Sequence, residues 1–308
     1  MALEEDFTTL LGRVLRAPPG FYQRRLRDAA LSDLGRAPAA FARLALTRRD
    51  ELVRDQLDNL PHGTRRFADA APPVRTGITG TGAELLVLTW TAADLARERA
   101  AGARFFAALG VAAGKRVANT LPGELTSPGS LLLGDVIEEL GALDIPLGAI
   151  ETDAAARQAW ELIDRVQPEL LVLEPATTPR LLTAASPLPR PWWRGVIFVR
   201  RDGSLDPLPE LGTAGFSGWQ RSWFAVAEAS SFVASSCASA RWHIQPGVLA
   251  EVVDEMTGAP SAPGSAGALV LTPLAGDTVL LRYVTGRKAR AIPSPCECGT
   301  HGMAIEPA

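Results

Sequence analysis

The sequence is poor in the residues that cross-link or strongly charge a protein, with only three cysteines and three histidines among 308 residues. An odd number of thiols in a chain of this length argues against a disulfide framework. Lysine occurs only as Lys115 and Lys288, so few residues could act as a catalytic lysine. The formal net charge of −3 gives no reason to expect nucleic acid or an anionic membrane surface as a partner.

Long hydrophobic runs are also missing. No apolar stretch approaches the ~20 residues that a membrane span requires. The N-terminus is acidic and lacks the apolar region of a signal peptide. We therefore expect a cytoplasmic protein with no membrane partner. A hydrophobic content of 47% is enough to bury one large core or two modest ones.

Hydrophobic periodicity divides the chain into three parts. Residues 1–74 have helical spacing and predict an amphipathic arm that packs on the rest of the protein. Residues 75–222 alternate short apolar strands with helices, which predicts an α/β core with a layered, mostly parallel sheet. Residues 223–308 contain few helical patterns and predict a β-rich C-terminal part.

Individual elements follow from capping signals and apolar runs. Thr91 is a typical N-cap, and it predicts a helix over residues 91–109 that ends at Gly110. Further helices are predicted over 130–140, 153–166 and 178–184, and strands over 85–88, 116–120, 142–147, 170–173 and 195–200. The C-terminal part is predicted to hold strands over 248–254, 268–272 and 279–283.

The three cysteines and one histidine have the spacing of a metal site. Cys237 precedes His243 by six residues, and Cys296 and Cys298 flank a single residue near the C-terminus. Three thiolates and one imidazole would complete a closed tetrahedral zinc site, so its role would be structural. His301 is a spare candidate ligand. The alternative is three unrelated cytosolic thiols.

Several segments resemble the AMP-forming adenylating enzymes, and most closely the phenylacetate–CoA ligase branch. They are residues 251–260, residues 267–274, residues 281–286 and the Pro-Cys-x-Cys-Gly motif at 295–299. Residues 223–228 align with the Tyr-Gly-x-x-Glu segment of that family, and residues 79–84 align with its phosphate loop. The similarity extends over roughly residues 75–303.

The resemblance implies the large N-terminal domain of the adenylate-forming fold, which activates a carboxylate with ATP. Glu228 takes the position of the magnesium-binding glutamate, and Thr285 belongs to the ribose-binding motif. The loop Thr79, Gly80, Thr81 and Gly82 would hold the phosphates, although a Thr/Gly run is also typical of an ordinary hairpin turn. The expected ligand is a small carboxylate, acyl or aryl compound.

Departures from the family pattern make ATP and Mg²⁺ doubtful cofactors. The chain ends at Ala308, where the family's small domain with its catalytic lysine would begin, so we expect that domain to be absent. Arg287 replaces the aspartate that binds both ribose hydroxyls, and a guanidinium can only donate hydrogen bonds. Glu84 occupies a loop position where the family tends to have lysine, and a carboxylate there repels a triphosphate.

Three functional hypotheses remain open. The favoured one is a repurposed protein of a biosynthetic pathway that binds an acyl or aryl ligand, or transfers an acyl group. On this hypothesis the chain by itself does not use ATP. The second is a carboxylate-adenylating ligase completed by a partner that supplies the lysine domain. The third is a non-catalytic interaction subunit, whose partner is another protein or a second copy of the chain. Whether the protein is an enzyme is left open.

Overall fold

The computed structural model describes residues 2–31, 40–123, 128–185, 190–200, 202–206, 208–292 and 295–308, with only the backbone given for residues 2 and 128–131. Thirteen strands are found in this part of the chain. They are β1 (Arg75–Thr79), β2 (Leu86–Trp90), β3 (Arg116–Asn119), β4 (Leu143–Pro146), β5 (Leu170–Leu173), β6 (Gly195–Arg200), β7 (Trp219–Val226), β8 (Ser230–Ser236), β9 (Trp242–Ile244), β10 (Val248–Val253), β11 (Gly267–Pro273), β12 (Tyr283–Ile292) and β13 (Ala304–Pro307).

Helices precede and separate these strands. The helices of the described residues are α1 (Ala2–Arg16), α2 (Gly20–Asp28), α3 (Arg49–Asp58), α4 (Ala92–Ala108), α5 (Pro128–Glu139), α6 (Asp153–Val166), α7 (Thr178–Ala184) and α8 (Pro209–Thr213). The predicted start of α4 is confirmed, since the Thr91 hydroxyl accepts from the backbone N–H of Asp94, and the Asp94 carboxylate accepts from the backbone N–H of Thr91.

Eleven strands form one mixed sheet in the order β10-β11-β12-β13-β9-β8-β7-β6-β5-β3-β4. The strands from β7 to β4 pair in parallel, whereas the pairs from β10 to β7 are antiparallel. The parallel half comes from the alternating segment and the antiparallel half from the β-rich segment. The α/β prediction is therefore confirmed, with one sheet continuous through both parts; the predicted boundary at residue 223 falls within β7.

Helices cover both faces of the parallel half. On one face Phe105 and Phe106 of α4 pack with Trp223 and Phe232 of the sheet. Gly102 makes this approach possible, because a Cβ there would lie 2.7 Å from ring and methyl carbons of neighbouring side chains. On the other face Trp160 and other residues of α6 form a second core with α7.

The strands β1 and β2 lie outside the large sheet. They form a two-stranded antiparallel hairpin, with Thr79 paired to Leu86 across the turn. The interpretation of 85–88 as part of the parallel alternation was therefore wrong, because its partner is the strand immediately before it. The predicted hairpin turn is what the structure contains at residues 80–85.

The predicted strand at 279–283 was also wrong, since β12 begins only at Tyr283. Arg282 has a left-handed φ of +49°, which interrupts an extended strand. Its buried guanidinium holds this conformation by donating to the carbonyl oxygens of Ala42, Leu44 and Gly258, and it forms an ion pair with Glu251.

The helical arm packs on the loop before β12. Apolar residues of α1 and α2 share a core with Leu274, Val279 and Leu281. The Tyr22 hydroxyl accepts a hydrogen bond from the backbone N–H of Leu281 (2.8 Å), and the Thr47 hydroxyl donates to the Leu281 carbonyl oxygen (2.7 Å). The arm is thus joined to the body by buried apolar and polar contacts.

Candidate functional site

Three cysteines and one histidine converge at the antiparallel end of the sheet. Cys237 follows β8 and His243 lies on β9, while Cys296 and Cys298 belong to the loop before β13. β13 pairs with β9, with Ala304 opposite His243, and this pairing brings the loop to the histidine. The four possible ligand atoms all lie within 4.8 Å of one another. The cluster could therefore bind a metal ion such as zinc.

The electrostatics of the cluster differ between its cysteines. Hydrogen bonds from the side chain and backbone of Thr300 lower the pKa of Cys298 to about 6, which favours the thiolate that binds metals. Burial raises the pKa of Cys237 above its ordinary value. The Cys298 sulfur lies 3.3 Å from Nε2 of His243, and no described group hydrogen-bonds Nδ1 of that ring. His301, the spare candidate, is not part of the cluster.

A second cluster surrounds Glu228, which lies in the turn between β7 and β8 with its side chain 8% exposed. Its carboxylate forms an ion pair with Arg49, the first residue of α3. The hydroxyl of Thr79 donates to the same carboxylate over 3.2 Å. The second terminal nitrogen of Arg49 donates to the carbonyl oxygens of Thr79 (2.7 Å) and Glu84 (2.8 Å). Arg49 thus joins the glutamate to the candidate phosphate loop.

A cavity of about 330 Å³ opens beside this ion pair. Thr79, Gly80, Glu228 and Thr285, to which the family resemblance assigns nucleotide or magnesium binding, line it together with Arg287. Thr81 and Gly82 are exposed and are not among its lining residues. The structure therefore brings two of the four loop residues to the cavity. The hydroxyl of Thr285 donates its hydrogen bond to the Leu269 carbonyl oxygen over 2.9 Å, so it cannot donate the same proton to a ligand.

Tyr283 also lines this cavity and is itself buried. Burial raises the pKa of Tyr283 to about 12, and the negative charge of Glu228 adds to that shift. Trp223 lines the cavity as well, but its ring stacks on Phe232 with centroids 5.1 Å apart. That tryptophan is 1% exposed and belongs mainly to the core.

Arg49 was missed by the sequence analysis, which assigned residues 1–74 to packing alone. One signal was present: a cation in the first turn of a helix is unfavourable, because the positive end of the helix dipole lies there. Such a residue needs a compensating anion, and Glu228 provides it. Nothing in the sequence identified which of the many acidic residues would do so.

A third group of residues lines a separate cavity of about 270 Å³ on the other side of the β7–β8 turn. Ala227 and Glu228 line both cavities, so this turn separates them. The second cavity also includes Arg65 and one face of the first turns of α4. No residue in it was singled out from the sequence except Glu228.

Comparisons with known proteins identify the fold. No protein-family model matches the sequence, and no curated protein matches it. The structure is similar to a 2-hydroxyisobutyryl-CoA ligase solved with 2-HIB-AMP and CoA, with a TM-score of 0.84 and 20% sequence identity over 100% of this chain and 69% of that one. It is also similar to a putative long-chain-fatty-acid CoA ligase from Rhodopseudomonas palustris (TM-score 0.55, 16% identity, 76% and 58% coverage).

A third similar structure is O-succinylbenzoate coenzyme A synthetase from Bacillus subtilis, solved with AMP (TM-score 0.52, 14% identity, 78% and 49% coverage). Within the described residues no helix is both long and apolar enough to cross a membrane. At these identities the similarity concerns the fold alone. The chain has the fold of the large N-terminal domain of the AMP-forming acyl-CoA ligases.

Proposed function

We propose that this protein is a repurposed member of the adenylate-forming fold that binds an acyl or aryl ligand, or transfers an acyl group, in a biosynthetic pathway. The chain by itself does not use ATP in this proposal. The Pro-Cys-x-Cys-Gly motif supports a relationship to the phenylacetate–CoA ligase branch. Three unpaired thiols fit the reducing cytoplasm. Two of the similar ligases were solved with 2-HIB-AMP and CoA or with AMP, which supports an acyl ligand for this chain.

The observation that carries the proposal is the ion pair between Arg49 and Glu228. If Glu228 bound Mg²⁺, the metal ion would have to displace the Arg49 guanidinium from the Glu228 carboxylate. Arg49 cannot easily turn to a phosphate either, because its terminal nitrogens already donate to Glu228 and to two loop carbonyls. The ion pair therefore satisfies both the metal-binding group and the nearest cation.

The charge of the 330 Å³ cavity leads to the same conclusion. Arg49 and Arg287 line it together with Glu84 and Glu228, so the charged residues balance. A triphosphate carries several negative charges, and sites that bind it use an excess of cations or N–H donors. The loop directs two carbonyl oxygens at Arg49, and carbonyls repel phosphate oxygens.

The proposal predicts that millimolar ATP with Mg²⁺ leaves the melting temperature unchanged, because a ligand that does not bind the folded state cannot stabilise it. The measurement is a thermal shift, supported by calorimetry and by an assay for pyrophosphate release with a panel of organic acids. A clear ATP-dependent shift, with carboxylate-dependent pyrophosphate release that Glu228→Gln abolishes, would refute it. Glu255→Gln, in an exposed ion pair, is the control for the loss of a carboxylate.

We further propose that the Cys237, His243, Cys296 and Cys298 cluster holds one structural zinc ion. Its four protein ligands would complete a tetrahedral shell and leave no position for a substrate. The ion would join the loop before β13 to β8 and β9, and so hold the C-terminal strand on the sheet.

A further inference from the structure

Arg65 is an unusual residue of the 270 Å³ cavity, because it is a buried cation without an anion. The residue is 3% exposed, and its Nε atom has no hydrogen-bond partner. No ion pair joins its guanidinium to a carboxylate of the described residues. Burial lowers the pKa of the guanidinium, while electrostatic interactions with Tyr22, Asp55 and Glu228 oppose that shift. Buried charges in proteins are normally paired and hydrogen-bonded, so this one lacks a partner.

The acidic residues around the cavity are already satisfied by other groups. Asp94 forms an ion pair with Arg97 and accepts from the backbone N–H of Thr91. Glu98 accepts hydrogen bonds from the Ser230 hydroxyl and the Ser231 backbone, and burial raises its pKa. The Glu228 carboxylate is paired with Arg49. A new anion would therefore meet a cation that forms no ion pair with a carboxylate of the described residues.

Two further residues that line the cavity have a buried polar atom without a partner. Nδ1 of His62 and Oγ1 of Thr278 are buried, and neither forms a hydrogen bond with the described residues. With the Arg65 guanidinium they provide donors of the kind that bind the two oxygens of a carboxylate. Native proteins leave few such atoms unsatisfied, and a functional role or a bound water or ion is a recognised cause.

The rest of the cavity is largely apolar. Leu88, Trp90, Phe232 and Val248 line it, and the exposed Arg104 lies among its lining residues on the side of α4. Binding sites for small molecules combine such apolar walls with a few polar groups that fix orientation. A volume of about 270 Å³ suits a compact ligand and is too small for a nucleotide with its phosphates.

We infer that this cavity binds a small organic acid, whose carboxylate pairs with Arg65 and is hydrogen-bonded by His62 and Thr278, and whose apolar body packs against Trp90 and Phe232. The inference rests on the proposed function and deepens it by naming the ligand class and the binding site, which lies across the β7–β8 turn from the 330 Å³ cavity. It would survive if ATP were found to bind in the other cavity.

The test is calorimetry and thermal shift on the full chain with three probes. Benzoate supplies both a carboxylate and a flat apolar body, benzamide has the same shape without the charge, and inorganic phosphate has the charge without the body. We expect benzoate to bind about tenfold more tightly than benzamide, because a hydrogen-bonded charge pair is lost with the amide. Phosphate should bind more weakly than benzoate.

Two variants locate the binding. Arg65→Met keeps the length of the side chain and removes the charge, so it should abolish the benzoate-induced shift while the melting temperature of the free protein is maintained or raised. Thr278→Val keeps the shape and removes one hydroxyl, so benzoate should bind several-fold more weakly. Arg200→Met is the matched control, because Arg200 is also buried at 6% exposure but lies outside this cavity.

The outcomes separate the alternatives. Equal binding of benzoate and benzamide, or benzoate binding that persists in Arg65→Met, would overturn the carboxylate site. Phosphate binding at least as tight as that of benzoate would show a general anion site without the apolar part. If Arg65→Met does not fold, Thr278→Val decides, and unchanged benzoate affinity there contradicts the inference. Absence of ATP binding together with absence of benzoate binding would leave the proposed function standing and reject this one.

Discussion

Two arginines of the N-terminal segment place positive charge on either side of one turn. Arg49 reaches the Glu228 carboxylate in one cavity, and Arg65 lines the other without a carboxylate of its own. The difference is chemical: the first guanidinium is satisfied by the protein and the second is not. We therefore interpret Arg49 as occupying the position where Glu228 would bind a metal ion, and Arg65 as available to bind the carboxylate of a ligand.

At the scale of residues, Arg49→Met tests how strongly the first site is closed. The substitution leaves Glu228 as an unpaired carboxylate that is 8% exposed. Loss of the ion pair should therefore lower the free energy of unfolding by about 2 kcal/mol. Urea denaturation measures the change. Adding Glu228→Gln to this variant should recover much of the loss, since the buried charge is then removed.

Arg48→Met is the matched control for that experiment. Arg48 forms an ion pair with Glu255, but both side chains are nearly half exposed, so its loss should change stability by less than about 1 kcal/mol. Equal effects of the two substitutions would mean that the Arg49–Glu228 pair is no more important than a surface contact.

At the scale of elements, the described residues of the loop before β13 have no regular secondary structure, yet they include two of the four candidate ligands. A short strand such as β13 has only four residues with which to hold its place. A metal ion would join this loop to β8 and β9 by bonds stronger than the few hydrogen bonds of the strand ends.

Cys298→Ser tests the zinc ion and its role in this loop. Metal analysis of protein purified without added zinc should give about one ion per chain, and the variant should lose metal together with several kcal/mol of stability. His301→Ala is the control, because this histidine belongs to the same loop but not to the cluster. Protein that contains no metal and is as stable as the variant would end the zinc proposal.

At the scale of the whole molecule, the helical arm and the sheet share one hydrophobic core. The arm contributes Leu11, Val14 and Tyr22, which are fully buried, and the body contributes the loop before β12. Because the polar contacts of Tyr22 and Thr47 are also buried, separating the arm would expose both apolar surface and unsatisfied backbone groups. We therefore expect the arm and the sheet to unfold together.

Leu11→Ala tests this coupling, since it leaves a cavity in the shared core and should cost about 3 kcal/mol. All seven tryptophans lie at residue 90 or beyond, so tryptophan fluorescence reports on the body alone. The fluorescence midpoint in urea should shift with Leu11→Ala and hardly change with Leu3→Ala, which alters an exposed residue of the same helix. An unchanged midpoint in the first variant would show that the arm unfolds separately.

Local patterns predicted much of the fold. The cap at Thr91 and the apolar runs of β5 and β6 follow from contacts between near neighbours in the chain, and their elements were confirmed. The pairing of β1 with β2 and the bend at Arg282 were not recognised. The bend at Arg282 depends on partners that a short window of sequence does not contain, such as the carbonyl oxygens that hold its guanidinium. The β1–β2 pairing is local, but strand patterns alone do not say whether a strand joins the large sheet or its neighbour in sequence.

By itself, the sequence determined the four candidate metal ligands and the layered α/β class, because spacing and periodicity are properties of short segments. Only the tertiary structure decided which charges meet. Arg49 and Glu228 lie 179 residues apart, and their pairing depends on how the arm packs against the sheet. The same packing buries Arg65 without an ion pair to any carboxylate of the described residues, since burial and charge compensation are set by neighbours in space.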